Sequence, residues 1–233
     1  LLENLDFSSI RSSKSVDEWT NESTIRRFFE SFNNNYGFPN SDFYPIAKII
    51  WKTLRTKIKL GNSPESPVIE LASITRDLRE VDFYFPISKA RKKAQELFYK
   101  NKSFIEGWNV EKGFLKGSID YLFEHDGRIY LLDWKSNILD NYSQASLEKV
   151  VMEHYELQLK IYTLATCYWF KINCEQKYKE RFGGAIYIFL RGIKNFSKNS
   201  ALPLSQENSG VFFKRPTWNE FLNYEKKLFL MDI

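Results

Sequence analysis

Apolar residues recur at helical spacing through the first third of the chain. In SVDEWTNESTIRRFFESFNN (15–34) the spacing runs through Trp19, Ile25, Phe28, Phe29 and Phe32 and predicts a helix. DFYPIAKIIWKTLRTKIKL (42–60) predicts a second helix, with Pro45 in its first turn and Gly61 as its stop. Residues 1–7 read as a helical stub, and NSPESP (62–67) as a loop. LREVDFYFPIS (78–88) then predicts a strand closed by Pro86, and 88–100 a short basic helix. Strands follow near 114–124 and 128–135, then a long helix over 143–173. GGAIYIFLRGI (183–193) has the composition and length of a buried strand. A polar loop (195–210) and a helix over 215–230, with Pro216 at its start, complete the chain. Helices first, then strands interleaved with helices, predict an α/β fold: a mixed central sheet flanked by helices, with an N-terminal helical segment.

A length of 233 residues predicts one domain over 1–233, mainly helical in 1–76, with its core in 77–193 and a loop and C-terminal helix in 194–233. Lys and Arg exceed Asp and Glu by 34 to 29, a formal charge of +5 that permits a polyanionic partner without specifying one. Cys167 and Cys174, seven apart in a helical pattern, cannot form a zinc cluster by themselves and read as reduced core thiols. No apolar run approaches the ~18 residues of a membrane span, and no signal peptide is visible, so a cytoplasmic location is expected. The first residues, LLENLDF, read as the middle of a helix in a longer chain.

The chemistry lies in GSIDYLFEHDGRIYLLDWKS (117–136), where acids interrupt an apolar hairpin. Asp126-Gly127 predicts a two-residue type I′ turn, because both central positions need positive φ. That turn sets Leu122 against Leu131, Phe123 against Tyr130 and Asp120 against Asp133, with Lys135 on the face of Asp133. Leu122, Ile129 and Leu131 share that face, so it is not a solvent face throughout. Opposed carboxylates at the rim of a core must share a proton, pair with cations or hold a metal. A hard divalent ion such as Mg²⁺ suits oxygen ligands. Spacing alone equally fits a surface ion-pair cluster at a strand end.

The surroundings add a resemblance. GFLKGSIDYLF, GRIYLLDWKSN, YELQLKIYTLA and FGGAIYIFLRG, in that order, resemble the C-terminal nuclease domain of the RecB (exodeoxyribonuclease V beta) chain, a member of the PD-(D/E)xK superfamily. LENLDF and EVDFYFPIS are similar to it too, so the likeness is scattered over most of 1–193. The resemblance implies a restriction-endonuclease-like core and Mg²⁺-dependent DNA cleavage in bacterial repair and recombination. Mn²⁺ or Ca²⁺ could substitute in binding. It maps metal ligands onto Asp120, Asp133 and the Trp134 carbonyl, and the catalytic lysine onto Lys135. The acid of the earlier strand maps onto Glu80, with Asp82 as rival. The Q-x-x-x-Y motif falls on Gln158 and Tyr162. RecC-like and RecD-like subunits and a recombinase are the implied partners besides DNA, with no membrane. The family's metal-ligand His, upstream of a stretch like LLENLDF, has no counterpart here, and no G-x-x-x-x-G-K-[ST] phosphate loop occurs. These departures leave a catalytically idle binding module, docking a RecC-like subunit or a recombinase, as the alternative.

Several residues carry two readings. Gln158 is a DNA-backbone or site contact, or a satisfied core amide. Tyr162 belongs to the site or packs. Arg191, at the end of a strand, meets phosphate or an internal acid. Lys48, Lys52, Arg55 and Lys59, spaced 4, 3 and 4, form a basic stripe that tracks phosphates or is a solvated helix face. The KARKK run (89–93) carries the same two readings.

Overall fold

The structure, a computed structural model, describes residues 1–37, 39, 43–61, 63, 65–86, 109–111, 114–193 and 210–226. The predicted basic helix over 88–100, with its KARKK run, lies outside these residues, as does the polar loop over 195–209. The chain divides into two compact units. One holds Leu1–Thr75, Trp134–Gln144 and Ile188–Val211; the other holds Arg76–Asp133, Ala145–Tyr187 and Phe212–Ile233.

In the first unit, a 3-10 turn, Phe7–Ile10, is capped by Asp6, whose carboxylate accepts from the Ser8 amide at 2.8 Å. Helices α1 (Val16–Asn21) and α2 (Ser23–Tyr36) replace the single helix predicted over 15–34, because Glu22 between them is extended (φ −61°, ψ 129°). The break brings two aromatics together: Trp19 and Phe29 are both fully buried and meet edge-on at 5.8 Å. Helix α2 ends at Gly37, which takes the left-handed φ of 70° that favours glycine.

Helix α3 (Phe43–Arg55) buries Ala47, Ile50 and Leu54. It stops five residues short of the predicted end at 60. Strand β1 (Lys57–Lys59) takes over and pairs antiparallel with β2 (Val68–Glu70), setting Ile58 opposite Ile69. The reason is local: Lys57, Ile58, Lys59 and Leu60 alternate with period two, and only as a strand are Ile58 and Leu60 both turned inward. Gly61 lies in the hairpin connection instead of ending a helix.

The second unit is built on a mixed sheet, as expected. Its strands are β3 (Asp77–Pro86), β4 (Asn109–Glu111), β5 (Phe114–His125), β6 (Arg128–Lys135), β7 (Phe182–Phe189) and β8 (Val211–Lys214). The order is β3-β5-β6-β7-β8, with β4 beside β5. Strand β7 is buried at every position, as a central strand requires. At Gly183 an added Cβ would lie 2.4 Å from the Tyr130 ring, so only glycine fits there.

The predicted helix over 143–173 is interrupted. Helix α4 (Gln144–Val150) passes into a π-helical turn, Val151–Tyr155, before α5 (Glu156–Trp169). Helix α5 packs against α7 (Trp218–Glu225), with Lys160 over the Tyr224 ring at 5.6 Å. Helix α7 starts at Trp218, not 215, because Thr217 and Glu220 close a capping box there. Helix α6 (Glu175–Arg181) and strands β4 and β8 were not predicted. Cys167 is buried, but Cys174 is exposed at the start of α6, so only one thiol belongs to the core. Among the described residues no helix is long and apolar enough to cross a membrane.

Candidate functional site

The site grows from the turn between β5 and β6. Asp126 and Gly127 both have positive φ, 49° and 72°, as a type I′ turn demands. The register that follows pairs Leu122 with Leu131 and Phe123 with Tyr130, the predicted partners. The paired positions run on to Tyr121 and Leu132, the residues next to Asp120 and Asp133 on the two strands, and continuing the register by one rung would oppose those two acids.

Strand β3 brings a third acid level with them. Arg79 pairs with Tyr121 and Val81 with Ile119, so Glu80 falls at the level of Asp120. The rival, Asp82, pairs instead with Ser118. Glu80 has φ 47°, a left-handed conformation costly for a residue with a Cβ, in the middle of an otherwise regular ladder. Glu80 is exposed, Asp120 half-buried and Asp133 only 2% exposed.

Helix α5 supplies the groups behind them. Gln158 Nε2 donates to Asp133 Oδ1 at 2.9 Å. One turn on, the Tyr162 hydroxyl donates to the Ser118 carbonyl at 2.5 Å, two residues before Asp120. Tyr162 is 3% exposed and meets Phe83 edge-on at 5.7 Å. Phe83 in turn lies over Gly117, where a Cβ would be 2.5 Å from its ring. The glycine before Ser118 therefore admits Phe83, and Phe83 seats Tyr162.

Lys135 is the last residue of β6, half-buried, two past Asp133 and on the same face by strand alternation. Trp134 lies between them, and its indole meets Phe7 edge-on at 6.5 Å.

Sequence reasoning missed Tyr187. This β7 residue is fully buried, and its ring stacks on Tyr155 at 6.1 Å. Burial first, and then the charges of Asp133, Tyr162 and Asp120, hold its hydroxyl well above the usual tyrosine range, so it stays neutral. The one signal available was a single hydroxyl in the apolar run GGAIYIFL.

Other candidates lie elsewhere. The basic stripe is not one helix face: Lys59 is in β1, and Arg55 pairs with Glu70 at 3.2 Å while lying over the Trp51 ring at 5.6 Å. Lys48 and Lys52 do share α3, and burial together with Lys48 lowers Lys52 below the usual lysine value. Arg191 does not end a strand. It lies in a 3-10 turn, Leu190–Gly192, and its Nε donates to the Ser136 carbonyl at 3.1 Å.

The donor set suits a hard cation in kind. Asp120 and Asp133 offer carboxylate oxygens, the kind of donor such an ion takes. Among the described residues no group of three His, Cys, Asp or Glu side chains is arranged to hold an ion. The carboxylates of a coordination sphere would thus come from no more than two of these residues.

The chain matches no protein-family model. It is 28% identical over 227 residues, 94% of its length, to the RecBCD enzyme subunit RecB of Borreliella burgdorferi. To RecB of Escherichia coli K12 it is 35% identical over 147 residues, 57% of the chain. To that of Haemophilus influenzae it is 38% identical over 112 residues, 46% of the chain. The chain spans less than a fifth of the length of these relatives: 18%, 12% and 8%. Similarity along nearly the whole chain makes these RecB subunits its relatives, and the chain corresponds to a segment of them.

Proposed function

We propose that this chain carries a Mg²⁺-dependent DNA phosphodiesterase site of the PD-(D/E)xK type, the nuclease part of a RecB-like helicase-nuclease acting in double-strand-break repair. The observation that supports the reading is the hairpin register, observed as far as Tyr121 and Leu132; carried one rung further it would oppose Asp120 and Asp133, with Lys135 two residues on along β6.

Asp120, Asp133 and the Trp134 carbonyl would hold the ion, with Glu80 holding a water beside it. When bound, the ion polarises the scissile phosphate and makes a water nucleophilic at neutral pH. Lys135, a compact charge on a rigid strand, orients that water or stabilises the negative charge developing on the phosphate. Gln158 holds the Asp133 carboxylate in one rotamer through Oδ1. Tyr162 locks β5 beside Asp120 through the Ser118 carbonyl and acts by positioning. Lys48 and Lys52 would contact the DNA backbone weakly and in a salt-dependent way. Mn²⁺ would support the same chemistry, and Ca²⁺ would occupy the ligands without it. The relatives are named as subunits of the RecBCD enzyme, and on that basis RecC-like and RecD-like subunits and DNA are the partners of the complete protein.

The test is a Mg²⁺ titration with end-labelled single- and double-stranded DNA, on this chain and on Lys135→Ala, Asp120→Asn and Asp133→Asn, with metal binding followed by calorimetry. The reading expects cleavage that each variant lowers at least about 100-fold. Equal cleavage by Lys135→Ala removes the lysine from the mechanism. Neither cleavage nor metal binding by the unsubstituted chain makes it a docking module for a RecC-like subunit or a recombinase.

A further inference from the structure

We propose that Tyr155 and Tyr187 form a positioning pair for this site: their ring stack fixes the helical phase at which Gln158 reaches Asp133. The inference rests on the reading of Asp133 as a site carboxylate. It adds two residues that neither motif spacing nor the hairpin register points to.

The argument starts from the π turn, Val151–Tyr155, in the middle of a long helix. Such a turn inserts one residue into the α-helical repeat and is rarely stable without outside support. In an α-helix each residue advances the side-chain direction by about 100°, so one inserted residue re-aims everything after it by that amount. Gln158 comes three residues after the turn and meets Asp133 at 2.9 Å. With the turn regularised to α, its carboxamide would point about a quarter-turn away from that carboxylate.

The support for the turn is visible at its last residue. Tyr155 leaves helical geometry at φ −121°, ψ 6°, and its ring lies near-parallel to Tyr187, 6.1 Å away with 26° between planes. Tyr187 is fully buried in β7, the neighbour of β6, and also contacts Phe212 at 6.4 Å, so it cannot move to follow the helix. The helix is therefore keyed to the sheet twice within four residues: Tyr155 on β7 and Gln158 on β6. Simple core filling would account for Tyr187 alone. It does not account for a half-exposed Tyr155 leaving helical geometry to meet it.

The test is made on the full chain with Tyr155→Leu, which removes the stack, and Tyr155→Phe, which keeps it. The side-chain amide resonance of Gln158, assigned by its loss in Gln158→Leu, reports the bond to Asp133 without any metal or DNA. Tyr155→Leu is expected to move that resonance to the position of exposed glutamines. With Mg²⁺ and a single-stranded oligonucleotide it is expected to lower kcat about ten-fold while KM stays within about two-fold. Tyr155→Phe is expected to restore both readouts. An unmoved Gln158 resonance in Tyr155→Leu overturns the proposal. Should Tyr155→Leu fail to fold by circular dichroism, Tyr155→Met is read by the same resonance with the same two outcomes. A moved resonance in a chain that never cleaves DNA sinks the nuclease reading and leaves the positioning role intact.

Discussion

Gln158 Nε2 donates to Asp133 Oδ1 at 2.9 Å, joining α5 to β6 across 25 residues of sequence. One partner is a carboxylate almost out of contact with water, so the bond bears on folding as much as on any reaction. Gln158→Leu is expected to cost about 1.5–3 kcal/mol, the range for a hydrogen bond to a charged group. Urea denaturation at neutral pH in EDTA measures it. A loss below about 0.5 kcal/mol would mean that Asp133 finds an equal partner elsewhere.

Opposed acids set stability against function. On the proposed opposition of Asp120 and Asp133, Asp120→Asn is expected in EDTA to raise stability by about 0.2–1 kcal/mol. The same substitution is expected to abolish Mg²⁺-dependent stabilisation, since one of two acidic ligands is gone. Thermal melts with and without Mg²⁺ separate the two effects. A variant less stable than the parent in EDTA would show that the acids are already neutralised within the protein.

Glu80 is a second place where the fold departs from its own regularity. At φ 47° a residue with a Cβ is strained by about 1–2 kcal/mol, and glycine is not. Glu80→Gly is therefore expected to keep or raise the melting temperature while lowering DNA cleavage. Glu80→Ala keeps the strain and loses the carboxylate, so it should match Glu80→Gly in activity and fall below it in stability. Equal melting temperatures for the two variants would place the strain elsewhere.

The start of α7 predicts a pH dependence far from the site. A hydrogen bond from the Thr217 amide lowers the Glu220 carboxyl below its ordinary 4.5, with smaller help from the Thr217 hydroxyl and Lys214. A depressed folded value means that the contribution is fully present above 4.5 and is lost as pH falls through the folded value. Glu220→Gln should accordingly be less stable than the parent at pH 7, and the difference should close as the pH drops below about 4. Thr217→Ala is expected to cost about 0.5–2 kcal/mol through the lost cap. A pH-independent difference between Glu220→Gln and the parent would show that the cap acts without charge.

What was legible in the sequence is local physics. Asp126-Gly127 dictates a turn, and the turn dictates the register that sets Leu122 against Leu131 and Phe123 against Tyr130. The amphipathic pattern of α3 is of the same kind. Tertiary structure decided what local preference leaves balanced. The helical run over 15–34 breaks at Glu22 so that Trp19 and Phe29 can share one core. The end of the second predicted helix becomes β1 because β2 offers Ile69 as a partner for Ile58. Glu80 draws level with Asp120 only through pairing with β5, a contact some 40 residues away in sequence. The π turn that aims Gln158 at Asp133 follows from a neighbouring strand holding Tyr187 where Tyr155 can stack on it. No spacing rule carries that information, since the free energy that selects the turn comes from the contact and not from the helix.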